Sequence, residues 1–347
     1  GVERTRALAN ESSPELARYR RVTRDDARTT PGAALGSIGR MARELWTLWR
    51  EFGHLEAPLF GRFAALIGKR ALFAAFFRRF RPAFLWGRDD YSTDHIIRNQ
   101  ELRKTGGKAL GVNHGLPINT YISQWREIDF DTYYTFGRHL YETFYRDAWP
   151  TRMEIKAVGN IQMTPERRVR MSSERTKDIA LYAIVTLRFD EFLDLAKTVA
   201  AHFKDRRVHV RMKGRRGSFY MNRYARWLAE EAPANVINNT DPDPYDLMLK
   251  TSYAVTPGST AGIEALQSGA AAFYLDLDPR LRFFYYRNFP GLIVRSAEDV
   301  IRRIEGIEAG TEAYDAAAYE SLIAASAPDF YATLRRDIGL SFPVQTP

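Results

Sequence analysis

The sequence predicts an α/β protein with two domains, each built on a parallel sheet. Three observations lead to this prediction. Short apolar strands alternate with amphipathic helices along most of the chain, which is typical of strand–helix–strand units. The length of 347 residues exceeds the about 250 to 300 residues that a single core usually holds. The composition is globular, since 45% of the residues are hydrophobic and 13% are aromatic.

The composition divides the chain into four segments. Residues 1–38 mix Ser, Thr, Pro and Gly with alternating charges, which predicts a flexible N-terminal arm. Residues 39–165 hold a first strand–helix series and residues 178–310 a second. A charged stretch without periodicity, Met163 to Lys177, predicts the linker between them. Residues 311–347 are expected to form a C-terminal helical tail.

The first series begins with helical periodicity from Ile38 to Arg81. Within it, Lys69 to Arg81 is both basic and aromatic, as membrane-surface helices often are, although a helix packed in a core with its arginines reaching out to water has the same pattern. The elements expected next are a strand at Pro82–Gly87, a helix at Thr93–Lys104, strands at Lys108–Val112 and Thr132–Phe136, a helix at Leu140–Asp147 and a strand at Ile155–Val158.

The second series alternates strand and helix in the same way. Its expected strands are Ile179–Val185, Val208–Met212, Val236–Ile237, Tyr253–Thr256 and Ala271–Leu275. Its expected helices are Phe189–Phe203, Tyr220–Glu231, Tyr245–Lys250 and Ala261–Ser268. Two such halves joined by a linker would leave a cleft between their facing edges, where ligands commonly bind.

The chain has a formal charge of +9, from 51 Lys and Arg against 42 Asp and Glu. This charge favours an anionic partner such as a nucleotide, an acidic glycan or a membrane surface, although an ordinary basic protein has it too. The positive residues are dispersed and accompany no recognised DNA- or RNA-binding motif. No nucleic-acid partner is therefore predicted.

The absence of cysteine excludes disulfides, thiolate metal sites and thiol catalysis, and it fits a reducing cytoplasm. No stretch reaches the about 18 apolar residues that a spanning helix needs, so a membrane role would be peripheral, on the inner face of the cytoplasmic membrane. The histidines and acids lack the spacings of metal sites, and no metal is predicted. Because the sequence begins with Gly1, it is also consistent with a segment of a longer polypeptide.

A turn rich in hydroxyls, Thr256 to Thr260, joins a strand to a helix in the second series. A helix N-terminus presents unpaired N–H groups and a partial positive charge, so Ser259 and Thr260 stand where a phosphate could bind. Glu264 follows one turn later, where a carboxylate could accept a hydrogen bond from a ribose hydroxyl. The same residues also fit an ordinary N-cap.

Cations follow two other strands of this series. Arg188 comes after the first strand, and Lys213 and Arg215 come after the second. If these strand ends share one edge with the hydroxyl-rich turn, they form a cationic pocket suited to a sugar nucleotide. The alternative is that they only solvate loops. The sequence has neither GxxxxGK[ST] nor GxGxxG, which disfavours an ATPase or a dinucleotide-dependent dehydrogenase.

Candidate bases lie in the first series. His114 directly follows a strand, and Asp89 and Asp90 follow the strand before it. A histidine or carboxylate at such an edge could remove a proton from an acceptor hydroxyl if its pKa lies near the working pH. Alternatively, His114 is a structural turn residue, and the two aspartates cap a helix and pair with Arg88.

Two stretches together resemble GT-B glycosyltransferases of bacterial surface polysaccharide synthesis and the related CDP-glycerol glycerophosphotransferases. The first is Gly111–Pro117, and the second runs from Asp243–Met248 through Gly258 to Gly269. The resemblance implies two Rossmann-like domains facing across a cleft, a histidine of the first stretch as candidate base, and donor phosphates and ribose held by the second. Relatives that use CMP-linked Kdo or sialic acid have His-Pro where this chain has Lys213-Gly214.

The sequence and the resemblance together predict a metal-independent glycosyltransferase. It would move a sugar from a nucleotide-sugar to a glycan or lipid-linked acceptor in capsule or lipopolysaccharide assembly, with no cofactor besides that donor. A polyol-phosphate transferase of the CDP-glycerol type and a UDP-sugar epimerase on the same fold remain alternatives. A non-catalytic subunit that binds glycan or membrane is a third.

Overall fold

A computed structural model gives the fold of most of the chain. The structure describes residues 37–88, 90, 92, 94–117, 123–170, 175–184, 188–214, 217–277, 284–327 and 329–339. The predicted N-terminal arm lies outside the described residues up to residue 36. Contacts divide the chain into two units, the first comprising residues 1–85 and 94–109 and the second residues 86–93 and 110–347.

The described part of the first unit is mainly helical. Its helices are α1 (Ile38–Phe52), α2 (Ala57–Phe80) and α3 (Asp94–Arg103). Helix α2 packs against both α1 and α3. The Glu101 carboxylate of α3 is only 2% exposed and forms salt bridges with Arg40 of α1 at 3.2 Å, Arg70 of α2 at 3.0 Å and Lys104 at 2.5 Å. This buried carboxylate therefore joins all three helices.

A four-stranded sheet has the order β1-β2-β3-β4. Its strands are β1 (Phe84–Gly87), β2 (Lys108–Val112), β3 (Thr132–Thr135) and β4 (Glu154–Ala157), with a short helix α4 (Ser123–Arg126) between β2 and β3. Strand β3 pairs in parallel with both β2 and β4.

The helix expected at Leu140–Asp147 is instead a single π-helical turn, Tyr141–Tyr145. The aromatic packing here accounts for the difference. Both Tyr141 and Tyr145 stack on Trp149, with ring centroids 5.5 and 5.2 Å away. Such wide turns usually occur as single turns.

The C-terminal helix α11 (Phe330–Asp337) packs on the four-stranded sheet. The Phe330 ring contacts Trp86 and Tyr134, with centroids 5.5 and 5.4 Å apart. Asp337 accepts hydrogen bonds from the Tyr134 hydroxyl at 2.7 Å and from Lys156 at 2.6 Å. Between residues 311 and 339, the helical segments among the described residues are α11 and one 3-10 turn, Ala316–Tyr319.

A six-stranded sheet has the order β10-β9-β8-β5-β6-β7, and all its neighbouring strands are parallel. Its strands are β5 (Thr176–Ala183), β6 (Val208–Met212), β7 (Val236–Asn238), β8 (Thr251–Thr256), β9 (Ala271–Leu275) and β10 (Ile293–Val294). This is the strand order of a Rossmann fold, in which ligands bind where the chain reverses its direction across the sheet. That switch point lies between β5 and β8.

Helices accompany these strands. They are α5 (Pro165–Arg170), α6 (Phe189–His202), α7 (Phe219–Glu230), α8 (Pro244–Lys250), α9 (Ala261–Gln267) and α10 (Ala297–Glu308). Every residue of β9 is buried, as expected for a parallel strand covered on both faces. Helix α6 packs on the sheet through residues three and four apart, including Phe192, Ala196 and Val199. Helix α5 lies within the stretch predicted as a linker. Within the described ranges, no helix combines the length and apolarity that crossing a bilayer requires.

Candidate functional site

Loops from the two sheets meet within the second unit. The backbone N–H of Leu116, after β2, donates a hydrogen bond to the Thr260 hydroxyl, after β8, at 3.3 Å. A Cβ on Gly115 would lie only 2.9 Å from the same oxygen, so a larger residue there would have to displace it. The residues that follow β2 and β8 at their carboxyl ends are therefore in direct contact, next to the switch point of the six-stranded sheet.

A buried hydrogen-bond network holds the backbone of His114. One carboxylate oxygen of Asp90 accepts from the His114 N–H at 3.0 Å and from the Tyr133 hydroxyl at 2.6 Å. The Asn113 side-chain amide donates to that hydroxyl at 3.1 Å. Burial and then the Asp90 charge raise the pKa of Tyr133, so its hydroxyl stays protonated and remains a donor. Asp90 itself has no exposed surface, so its carboxylate positions the β2 loop and is not open to a substrate.

The His114 ring retains solvent-accessible surface at this edge. Partial loss of hydration lowers its pKa below the usual 6.5, and the positive charges of Arg88 and Lys213 lower it further. His114 is therefore mainly neutral at pH 7. A neutral imidazole can accept a proton, which is the form that a general base requires.

Glu264 lies on the first turns of α9 and is largely enclosed. Its carboxylate accepts a hydrogen bond from the Tyr245 hydroxyl of α8 at 3.0 Å. Burial raises the pKa of Glu264, while that hydrogen bond and the charges of Arg88 and Lys213 oppose the rise without cancelling it. The carboxylate thus lacks full compensation from the protein and would gain from further hydrogen-bond donors.

Arg88 and Lys213 connect these two groups electrostatically. Arg88 follows β1 and Lys213 follows β6, so they come from different sheets, and both side chains are exposed. Neither forms a salt bridge or hydrogen bond with any residue in the described ranges. Because both charges act on His114 and on Glu264, all four side chains belong to one neighbourhood. Two cations without an anionic partner in the described part of the chain are suited to holding an anion.

The hydroxyl-rich turn differs from the arrangement expected for a phosphate site. The Ser259 hydroxyl accepts a hydrogen bond from the Ala261 N–H at 3.2 Å, and the Ser259 carbonyl accepts one from the Gly262 N–H at 3.1 Å. The Tyr274 hydroxyl accepts from the Ile263 N–H at 3.0 Å. These N–H groups at the start of α9 already have partners within the protein, although the N-cap residue, Thr260, makes no side-chain capping hydrogen bond.

Three further predicted donor-site or catalytic residues have different outcomes. Arg188 lies at the N-terminus of α6, where its guanidinium contacts Glu191 at 2.5 and 2.7 Å, so part of its charge is neutralised locally. Asp89 and Arg215 lie outside the described residues. Within the described residues, no three His, Asp or Glu side chains are grouped as metal ligands.

Sequence reasoning did not select Arg88 or Tyr245 for the site. Arg88 could have been found by the rule that singled out Lys213, because it directly follows a strand of a parallel sheet. Tyr245 lies in the stretch Asp243–Met248, which the resemblance assigns to the donor site, but no role was predicted for its side chain. Its role follows from the packing of α8 beside α9, where the guanidinium of Arg167 lies 4.4 Å from its ring centroid.

One of the solved structures similar to this chain supports the fold. No protein-family model matches this chain, and no curated protein matches it in sequence. A UDP-GlcNAc 2-epimerase from Neisseria meningitidis, solved with UDP-GlcNAc bound, is 10% identical, covers 80% of this chain and 81% of its own, and has a TM-score of 0.50. A glycosyltransferase from Rickettsia africae has 13% identity, coverages of 79% and 80% and a TM-score of 0.47. The pneumococcal O-GlcNAc transferase GtfA has 12% identity, coverages of 79% and 60% and a TM-score of 0.47. The predicted α/β class, GT-B-like with two parallel sheets, is confirmed.

Proposed function

We propose that this protein is a glycosyltransferase that binds a nucleotide-sugar at the carboxyl edge of the six-stranded sheet. The observation that carries the proposal is the direct contact between the loop after β2, which bears His114, and the start of α9, which bears Glu264, next to the switch point, with Arg88 and Lys213 acting on both groups. Two cations without an ion pair among the described residues, a neutral imidazole and an enclosed carboxylate match a diphosphate, a reacting hydroxyl and a ribose, respectively.

In this proposal the donor diphosphate lies against Arg88 and Lys213. The two cations stabilise the negative charge that develops on the leaving group, so no metal is required. Glu264 accepts hydrogen bonds from the ribose hydroxyls. Thr260 lines the same edge, while its hydroxyl holds the β2 loop in place.

The acceptor would enter beside His114, which removes the proton from the attacking hydroxyl. The lowered pKa of His114 supports this assignment, because the neutral ring is then the main form at pH 7. Asp90 was another candidate base, and its complete burial supports a positioning role instead. The resemblance of the motifs to enzymes of surface polysaccharide synthesis supports a glycan or lipid-linked acceptor.

Nucleotide binding is tested by thermal shift across UDP, GDP, CDP and CMP. A nucleotide at about a hundred times its Kd should stabilise the folded chain by about 2.7 kcal/mol. Arg88→Ala and Lys213→Ala should each lose most of this shift. Arg226→Ala is the matched control, because Arg226 is an exposed arginine on α7 without an ion pair in the described ranges. Equal thermal shifts in the unaltered protein and in all three variants would refute the donor site.

Transfer is tested separately with His114→Ala. This variant should still bind the nucleotide, because His114 makes no proposed contact with the diphosphate, but it should lose transfer. Full transfer activity in the variant would refute the assigned base. The same site at the carboxyl edge of the six-stranded sheet would also suit a UDP-sugar epimerase, the activity in the name of the Neisseria structure. Product analysis distinguishes the two, since an epimerase converts the sugar nucleotide and releases no free nucleotide.

A further inference from the structure

The hairpin formed by α1 and α2 exposes an unusual amount of aromatic surface. Seven apolar side chains of α1 share one face at helical spacing, yet no residue of α1 is buried. The first half of α2 is similar, because its buried residues begin only at Ala71. We define the aromatic face of the hairpin as Leu45, Trp46, Trp49, Phe52, Leu59 and Phe63, each between 37% and 66% exposed.

Contacts between the two helices fix the geometry of this face. Trp49 packs edge-on against Phe60, with ring centroids 5.8 Å apart, and Phe52 stacks on Phe63 at 6.3 Å. The rings are therefore held together as one surface and do not move independently. Even so, Trp46 remains 66% and Trp49 60% exposed, more than an isolated helical hairpin in water would favour.

The charge of the hairpin indicates what covers this face. Residues 38–68, which carry the face, contain four Arg and three Glu. Arg43 and Arg62 form no ion pair with the described residues and are exposed. Tryptophans beside basic side chains are typical of helices that lie in a membrane interface.

A second copy of the chain fits less well. A two-fold interface pairs a surface with its own copy, so it would bring together Arg43 and Arg62 of both copies, which have no ion-pair partner among the described residues. An anionic bilayer instead offers negative charge to the arginines and an apolar layer to the rings.

We propose that the aromatic face of the hairpin docks on an anionic lipid bilayer. This proposal places the membrane contact in α1 and the first half of α2. The sequence indicated a later segment, the basic aromatic stretch Lys69–Arg81, as the candidate membrane-surface helix. There, Phe77 is only 1% exposed, and Ala71, Ala74 and Ala75 are buried with it. The proposal does not depend on the function proposed above.

The test is flotation of the full chain with phosphatidylcholine vesicles, with and without phosphatidylglycerol. The chain should float only with the anionic vesicles, and added salt should weaken the binding. Trp46→Ala with Trp49→Ala should reduce the partition coefficient about tenfold or more, since two interfacial rings are lost. Arg43→Glu with Arg62→Glu should reduce it comparably.

Two matched variants control for general effects of exposed aromatic and basic side chains. Phe219→Ala removes a ring that is 75% exposed in the second unit, and Arg226→Glu reverses an exposed arginine there. Both should float like the unaltered protein. In addition, brominated lipid should quench tryptophan emission in the unaltered protein and much less in the double tryptophan variant.

Three results would overturn the proposal. The first is no binding of the full chain to anionic vesicles. The second is binding that the hairpin substitutions leave unchanged. The third is a dimer, detected by light scattering, that dissociates only in the double tryptophan variant while that variant binds vesicles as well as the unaltered protein does. Because the substituted side chains are exposed, melting curves should confirm that all variants remain folded.

Discussion

Replacing Tyr133 by Phe tests the buried network that holds His114. The substitution removes one oxygen that donates to Asp90 at 2.6 Å and accepts from Asn113 at 3.1 Å. A hydrogen bond to a charged group contributes about 1.5–3 kcal/mol and a neutral one about 1 kcal/mol. We therefore expect the variant to lose roughly 2–4 kcal/mol of unfolding free energy.

Tyr134→Phe is the matched control, because it removes the same atom from the next residue of the same strand. The Tyr134 hydroxyl donates to Asp337 at 2.7 Å, but that carboxylate keeps its salt bridge with Lys156 at 2.6 Å. We expect a loss of only about 0.5–1.5 kcal/mol there.

Urea unfolding followed by circular dichroism measures both losses. The midpoint for Tyr133→Phe should fall by about 1 M, and the midpoint for Tyr134→Phe by less than half of that, with unchanged slopes. Transfer activity should fall in the first variant while nucleotide binding persists. Equal losses in the two variants, or no loss in Tyr133→Phe, would refute the inference that this hydroxyl holds the site together.

Two carboxylates predict opposite pH dependences. Burial alone would raise the pKa of Glu101, but the Lys104 hydrogen bond and the charges of Arg40, Lys104 and Arg70 together lower it below 4.5. The Glu101 carboxylate therefore stabilises the folded state above pH 4.5, and this stabilisation is lost as the pH falls below that value. Glu101→Gln should destabilise the first unit by about 3–5 kcal/mol at pH 7, measured by unfolding, and a change under 1 kcal/mol would contradict the role of the cluster. Burial raises the pKa of Glu264 above 4.5, so the folded state holds this proton to a higher pH than the unfolded state does, and stability falls as the pH rises through the interval that begins at 4.5. Glu264→Gln should remove this fall in stability with rising pH. It should also reduce nucleotide affinity about fivefold, because a neutral amide accepts weaker hydrogen bonds than a carboxylate. A variant that is less stable at pH 7 and binds nucleotide normally would contradict both expectations.

The sequence predicted the strands and their edge better than the helices between them. Strands such as Lys108–Val112 and Ala271–Leu275 match the structure because buried parallel strands are short apolar runs with polar residues after them. The helix Phe330–Asp337 was not located because it has only eight residues, and its place on the sheet depends on Trp86 and Tyr134, which are far away in sequence.

The candidate site was only partly predictable for a related reason. Strand ends are visible in the sequence, and His114 and Lys213 were selected on that ground and share one neighbourhood in the structure. Burial is not visible, so Asp90 was considered as a base although it is enclosed. The sequence also does not show that the Tyr274 hydroxyl accepts a hydrogen bond from the Ile263 N–H, a helix N-terminal group that was expected to be available to a phosphate.

The most direct test of the account is the pKa of His114, measured by NMR titration of the six histidines with His114→Gln for assignment. If Arg88 and Lys213 act on this ring, its pKa lies below 6.5 and rises in both Arg88→Ala and Lys213→Ala, because each removes a nearby positive charge. A bound nucleoside diphosphate should also raise it, and Arg226→Ala should leave it unchanged. A pKa of 6.5 or above, unaffected by either substitution and by the nucleotide, would contradict the convergence of these side chains on one site.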